Sequence, residues 1–155
     1  MANLQKAIKV INKRIPKSYH TNFKVYKTIY SMLRSVANNN FNGNYGKCLN
    51  YYDNYFKNPE TNTYVKSKYF KIHRNKIKRT RRVFNISMFG GGNPIIIAKD
   101  NIANFSQVTL TAFLLHEIGH TYYRNKYSIP IPNEERMCDE FAIRWTRKLI
   151  KEGLL

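Results

Sequence analysis

His116-Glu117-Ile118-Gly119-His120 is the stretch whose residue types and spacing name a chemistry. On a helix, side chains four apart sit roughly 40° apart around the axis and one turn up, so both imidazoles reach one metal ion. Glu117 lies on the neighbouring face, where a carboxylate accepts a proton from an activated water. A tetrahedral catalytic site takes three protein ligands and one water. The chain has 4 His, at positions 20, 73, 116 and 120, and none follows the pair. A carboxylate is the remaining choice for the third ligand. Of 9 acidic residues, five fall between positions 117 and 140: Glu117, Glu134, Glu135, Asp139 and Glu140. In a chain of formal charge +18 this is an acidic island that would hold a cation.

Two helices must position these groups. Ser106 offers an N-cap for the first, which runs to about Tyr123 with Val108, Ala112, Leu115, Gly119 and Tyr122 at three- and four-residue spacing. Leu114 and Ile118 widen that stripe, so the helix is largely buried, and an interior Glu117 without a cation nearby is costly. Gly119 gives up helix propensity, which points to close approach of another backbone or of substrate. Pro132-Asn133 starts the second helix and Gly153 ends it, with Cys138, Phe141, Ala142, Trp145 and Leu149 as its core stripe. Glu135 and Asp139, four apart, border that stripe and face inward. Glu134 and Glu140 point elsewhere and are better solvated. Acids in a first turn also favour the helix dipole, which accounts for Glu134 and Glu135 but poorly for Asp139. Glu135 is therefore the expected third ligand, and Asp139 the acceptor that fixes the outer N–H of a ligand histidine.

Upstream, residues 3–14 carry Leu4, Ala7, Ile8 and Ile11, a helical stripe closed by Pro16. Residues 21–37 repeat the pattern with Phe23, Tyr26, Tyr30, Leu33 and Ala37. Asn38 to Asn40 and Asn42-Gly43-Asn44 supply turn chemistry. A third helix is expected over Lys47–Phe56, with Cys48, Tyr51, Tyr52 and Tyr55 on one buried side, and Asn58-Pro59-Glu60 breaks it. Residues 63–72 and 82–89 read as strands. Gly90 to Pro94 is a turn, without the Gly-Lys-Ser/Thr ending of a phosphate loop. Ile95–Ala98 is a short buried strand. The expected architecture is a single α+β domain over 1–155, with a helical portion over 1–62 and a site-bearing core over 63–155.

The motif pair resembles the gluzincins, zinc peptidases with HExxH followed by ExxxD on the next helix. Glu135-Arg136-Met137-Cys138-Asp139 matches that second motif. The segment Glu135 to Ala142 is similar to the Glu-x-x-Ala-Asn/Asp-x-Phe-Ala hallmark of the ImmA/IrrE-type peptidases of bacteria and their phages, with Cys138 in place of Ala. The absence of a histidine after His120 excludes the metzincin pattern and disfavours SprT-like proteases. The resemblance covers roughly residues 83–150; the interval from His120 to Glu135 is shorter than the family's. It implies a zincin-like metallopeptidase core, an active-site helix packed on a small sheet, and an edge strand at Ile95–Ala98 that pairs with an extended substrate. It also implies one zinc ion on His116, His120 and Glu135, with Glu117 as general base against a protein substrate. The family's downstream histidine for the oxyanion is missing, and Tyr122, Tyr123, Arg124 and Tyr127 are substitutes by chemistry.

Hydrophobic content of 43% and aromatic content of 14% exclude a disordered chain. The charge implies an acidic partner or a solvated basic surface. Lys71, Arg74, Lys76, Lys78, Arg79, Arg81 and Arg82 form the densest basic run, a candidate phosphate contact whose plain alternative is a solvated hairpin. A basic nucleic-acid-associated or virion-associated protein that keeps the fold with little turnover is the competing expectation. The two cysteines are too few for a disulfide framework, the N-terminus lacks a signal-peptide core, and no stretch approaches 18 apolar residues. Cytoplasmic residence follows as an expectation. Abundant Asn, Lys, Ile and Tyr fit an AT-rich genome, that of a low-GC bacterium or its phage.

Overall fold

The computed structural model describes residues 2–19, 21–58, 63–70, 82–126 and 133–155. At its centre is the strand Ile95–Ala98 (β3), flanked on one side by Phe23–Tyr26 (β1) and on the other by Met88–Phe89 (β2). β1 runs parallel to β3 with Phe23 opposite Ile95, and β2 runs antiparallel with Met88 opposite Ile97. Successive side chains of a strand point to opposite faces. Ile95 and Ile97 accordingly join a core with Ala7, Ile11, Leu114, Ile118 and Phe141. Ala98 and Ile96 join the opposite one, with Met32, Leu33, Leu49 and Val83 around Ala98. The small sheet is thus covered by helices on both faces, a mixed α+β fold.

Three helices form the first cover. Leu4–Arg14 (α1) starts at Asn3, whose Oδ1 accepts from the Lys6 amide at 2.9 Å; such a cap contributes about 1 kcal/mol. Asn3 also exchanges two hydrogen bonds with the Gln107 side chain, 2.7 and 3.0 Å, which ties α1 to the site-bearing helix. The opposite cover is Ile29–Asn40 (α2) and Tyr45–Lys57 (α3), capped by Thr28 and Asn44. Asn42 and Gly43 take the positive φ expected of the turn between them. One helical turn, Lys99–Ile102 (α4), follows β3. The long helix Gln107–Lys126 (α5) and the final helix Glu134–Lys151 (α6) complete the first cover. Ser106 Oγ accepts from the Thr109 amide at 3.1 Å, the cap its sequence offered. No described helix is long and apolar enough to cross a membrane, and both cysteines are free and buried.

Several expectations are corrected. Residues 21–37 are not one helix: the stripe Phe23, Tyr26, Tyr30 runs through a strand, and Thr28 begins α2. Pairing with β3 captures the backbone of 23–26, so the portion before residue 62 is not purely helical and supplies one sheet strand. Residues 63–70 form no strand; the Val65 amide donates to Asp139 Oδ2 at 3.0 Å, and Phe70 closes a turn on the Ser67 carbonyl. Residues 71–72 lie outside the described residues. The strand expected over 82–89 is a 3-10 turn at Arg82–Asn85 followed by a two-residue β2. Asp53 Oδ1 accepts from the Val83 amide, and Asn101 Nδ2 donates to the Phe84 and Ile86 carbonyls, so side chains satisfy groups a ladder would have used. Finally, β3 is the central strand and not an edge; the edge beside the site is β2. Tyr51, expected on the buried side of α3, is 55% exposed.

Candidate metal centre

α5 and α6 approach closely where Gly119 faces Cys138. A Cβ on Gly119 would meet the Cys138 Cα at 3.2 Å, so the glycine answers a neighbouring backbone. That contact lowers the first turns of α6 onto the histidine face of α5. His116 Nε2 and His120 Nε2 lie 3.1 Å apart. Glu135 sets Oε2 3.0 Å from the first and Oε1 3.1 Å from the second. All three residues are buried. Their ligand atoms fall within 4.8 Å of one another, and the group could hold a metal ion.

Each ring has a carboxylate behind it. Asp139 Oδ1 is 2.8 Å from His116 Nδ1, a buried contact between the ring and a carboxylate. Glu134 Oε1 is 3.6 Å from His120 Nδ1 and accepts from Arg124 Nε at 3.2 Å. Glu134 is therefore not the solvated acid expected from its sequence position: it is buried, because the first turn of α6 presses onto α5. Glu140 is exposed as expected and pairs with Arg136.

The electrostatics are those of a cluster short of positive charge. Burial pushes both imidazoles toward the neutral form, yet the surrounding carboxylates prevail and hold both above their ordinary value. For His116 these are Asp139 and Glu135; for His120, Glu135 with Glu134. Burial would raise Glu135, but His120 and His116 hold it well below the usual carboxylate range. Glu134 is lowered against its burial by His120 and Arg124. Two imidazole nitrogens 3.1 Å apart cannot both present lone pairs to each other without a proton or a cation between them. A divalent cation would supply that charge, and two imidazoles with a carboxylate are a donor set zinc accepts. The residues fit the ion.

Glu117 is buried and lines the same cavity as His116, His120 and Glu135. Gly90, just after β2, forms part of the cavity wall. A side chain on Gly90 would run into the Glu117 carboxylate, and Gly91, at φ 86°, lies against the Arg124 guanidinium. Along α5, Phe113, His116, His120, Arg124 and Glu117 fall within a sector of about 100°, which is the cavity side. Tyr123 and Tyr122 fall outside it. Tyr122 packs on Tyr19 at 4.5 Å and on Phe141 at 5.7 Å, and Tyr123 on Phe141 at 6.3 Å, so neither reaches the cavity as a candidate oxyanion donor. Arg124 does line it. Tyr127 lies outside the described residues, as do Lys71, Arg74, Lys76, Lys78, Arg79, Arg81 and the side chain of Arg82.

One residue at the centre comes from the portion that no motif covers. Tyr55 on α3 donates its hydroxyl to Glu135 Oε1 at 3.0 Å and lines the cavity. Burial, then the Glu135 charge, push its phenol far above the ordinary value, so it stays a donor. Tyr52 beside it is pushed up to about 12, mainly by burial. The α3 aromatics carried a signal, spacing on one face, but that spacing reads equally as core. Comparison of the chain with protein-family models, with curated proteins and with solved structures finds no match, so the site is read from its own residues.

Proposed function

We propose that the chain is a zinc-dependent metallopeptidase of the gluzincin type. The observation that carries this reading is the convergence of His116 Nε2, His120 Nε2 and the Glu135 carboxylate at one buried point, with Glu117 lining the same cavity. The zincin-like arrangement is supported by α5 lying against a sheet whose edge strand, β2, leads into the cavity wall.

Zinc, when bound, supplies Lewis acidity and lowers the pKa of a water to about 7. The chain's own residues do the rest. His116, His120 and Glu135 hold the ion, and Asp139 and Glu134 orient the two rings from behind. Glu117 takes a proton from the attacking water as its oxygen bonds to the peptide carbon. It then delivers that proton to the amine nitrogen as the C–N bond breaks. Tyr55 turns its O–H from Glu135 to the carbonyl oxygen as that oxygen gains charge. β2, an edge strand among the described residues, takes the place of the central β3 as the strand that pairs with an extended peptide.

The test is direct. Purified protein carries one zinc per chain, Glu135→Ala loses it, and Glu117→Gln keeps it while abolishing cleavage of a peptide library read by mass spectrometry. A metal-free wild type, or unchanged cleavage by Glu117→Gln, overturns the reading.

A further inference from the structure

A second concavity adjoins the metal cavity, and the proposed reaction does not use it. Tyr64 lines the cavity while Val65, the next residue, lines this groove. On α6, Glu135 faces the cavity and Glu140, little more than a turn further, faces the groove. The shared wall is fastened at its middle, since the Val65 amide donates to Asp139, the carboxylate behind His116.

The groove has an apolar floor and a basic rim. Val65 and the buried Ile143 lie at its base, and the exposed Lys66, Lys68, Arg144 and Arg147 surround it. Among the described lining residues the sole acid is Glu140, whose carboxylate is already engaged by Arg136 at 3.3 Å. Four cations thus face one neutralised acid, and a concave wall concentrates their field on whatever enters. Its volume, about 720 Å³ against about 240 Å³ for the metal cavity, exceeds what a single side chain fills.

We propose that this groove docks an acidic stretch of the protein substrate, bound beside the scissile segment. The peptidase reading supplies the identity of the partner as substrate; the place and chemistry of docking stand on the groove. Glutamate or aspartate carboxylates match the two arginine forks and the lysine ammoniums. An interspersed apolar side chain matches Val65 and Ile143. Nucleic acid suits the groove less well. Single strands stack their bases on exposed rings, and the lining Tyr69 is 7% exposed. Duplex readers insert a protruding helix or ribbon, whereas this surface is recessed.

The experiment measures binding by the full chain of a fluorescent peptide of alternating Glu and Leu, and of a labelled oligonucleotide of equal charge, by polarisation. Lys66→Gln/Lys68→Gln/Arg144→Gln/Arg147→Gln removes the groove charge. Lys6→Gln/Lys9→Gln/Lys13→Gln/Lys17→Gln removes the same charge from exposed lysines of α1 and the turn after it. The groove variant is expected to weaken peptide binding about tenfold or more, and the control less than about threefold. The milder Arg144→Gln/Arg147→Gln, read alongside a thermal melt, separates lost docking from lost folding and is expected to weaken binding about threefold. Equal losses in groove and control variants overturn the proposal. So does an oligonucleotide that depends on the groove more than the peptide does. Zinc content and cleavage are read in parallel: their absence in the wild type sinks the peptidase reading and leaves the docking result interpretable.

Discussion

Tyr55 Oη donates to Glu135 Oε1 at 3.0 Å across 80 positions of sequence, so an N-terminal helix reaches the carboxylate that completes the metal centre. The relationship gives α3 a place in the chemistry. It also yields a test that separates an electrophilic role from a packing role. Tyr55→Phe keeps the ring and removes the donor. Zinc content is expected to stay at one per chain, with kcat falling about 10²–10³-fold, the effect of deleting one oxyanion donor, and KM little changed. An unaltered kcat would assign Tyr55 to positioning Glu135 alone.

The two outer carboxylates predict a graded loss of metal. Asp139→Asn and Glu134→Gln each preserve shape while removing the charge behind one ring. Such changes lower metal affinity by about 10–100-fold. Asp139→Asn is expected to be the more severe, because the Asp139 contact is 2.8 Å and fully buried while the Glu134 contact is 3.6 Å and shared with Arg124. Competition against a zinc-binding dye ranks the pair; the reverse order would show that Arg124 and Glu134 govern His120 more tightly than their distances indicate.

Protons and metal compete for the same site with opposite signs. In the metal-free protein His116 and His120 titrate above their ordinary value near 6.5, so their contribution to stability is complete below that value. It is lost as pH rises through the raised folded values. Glu135 acts in the other direction: its contribution is present above the ordinary carboxylate value and is lost as pH falls through its depressed one. Melts of chelator-treated protein should therefore show Tm declining as pH rises above the ordinary histidine value of about 6.5. Zinc must displace the imidazole protons, so the Tm gained on adding zinc should grow over the same range. A pH-independent gain would mean that the histidines are not the ligands.

The close approach at Gly119 is testable by one methyl group. A Cβ there stands 3.2 Å from the Cys138 Cα and 3.3 Å from its Sγ. Overpacking of this kind costs about 1–3 kcal/mol, and the helix propensity of alanine returns about 1 kcal/mol. Gly119→Ala should lower Tm by up to roughly 8 °C and weaken zinc binding, because α6 carries Glu135 and Asp139 away from α5. Unchanged zinc affinity would mean that α6 tolerates the shift without moving its carboxylates.

Parts of this protein whose information is local can be read from the order of its residues. α5 and α6 are legible because their stripes repeat every three to four residues, and Ser106 and Gly153 punctuate their ends. The same periodicity sets His116 and His120 on one face, and Glu135 and Asp139 on another. How those faces meet depends on contacts between distant elements. Whether residues 23–26 extend a helix or form β1 depends on a backbone partner some seventy positions away. β3 is central because two strands, neither legible as its neighbour, bond to its two sides. Glu134 is an acid of a first helical turn until α6 is pressed onto α5, and Tyr55 is one more ring on an aromatic stripe until α3 faces Glu135. Helical hydrogen bonds and spacing lie within a few residues. Strand pairing, helix crossing and the burial of a charge involve partners far along the chain, and no local pattern records them.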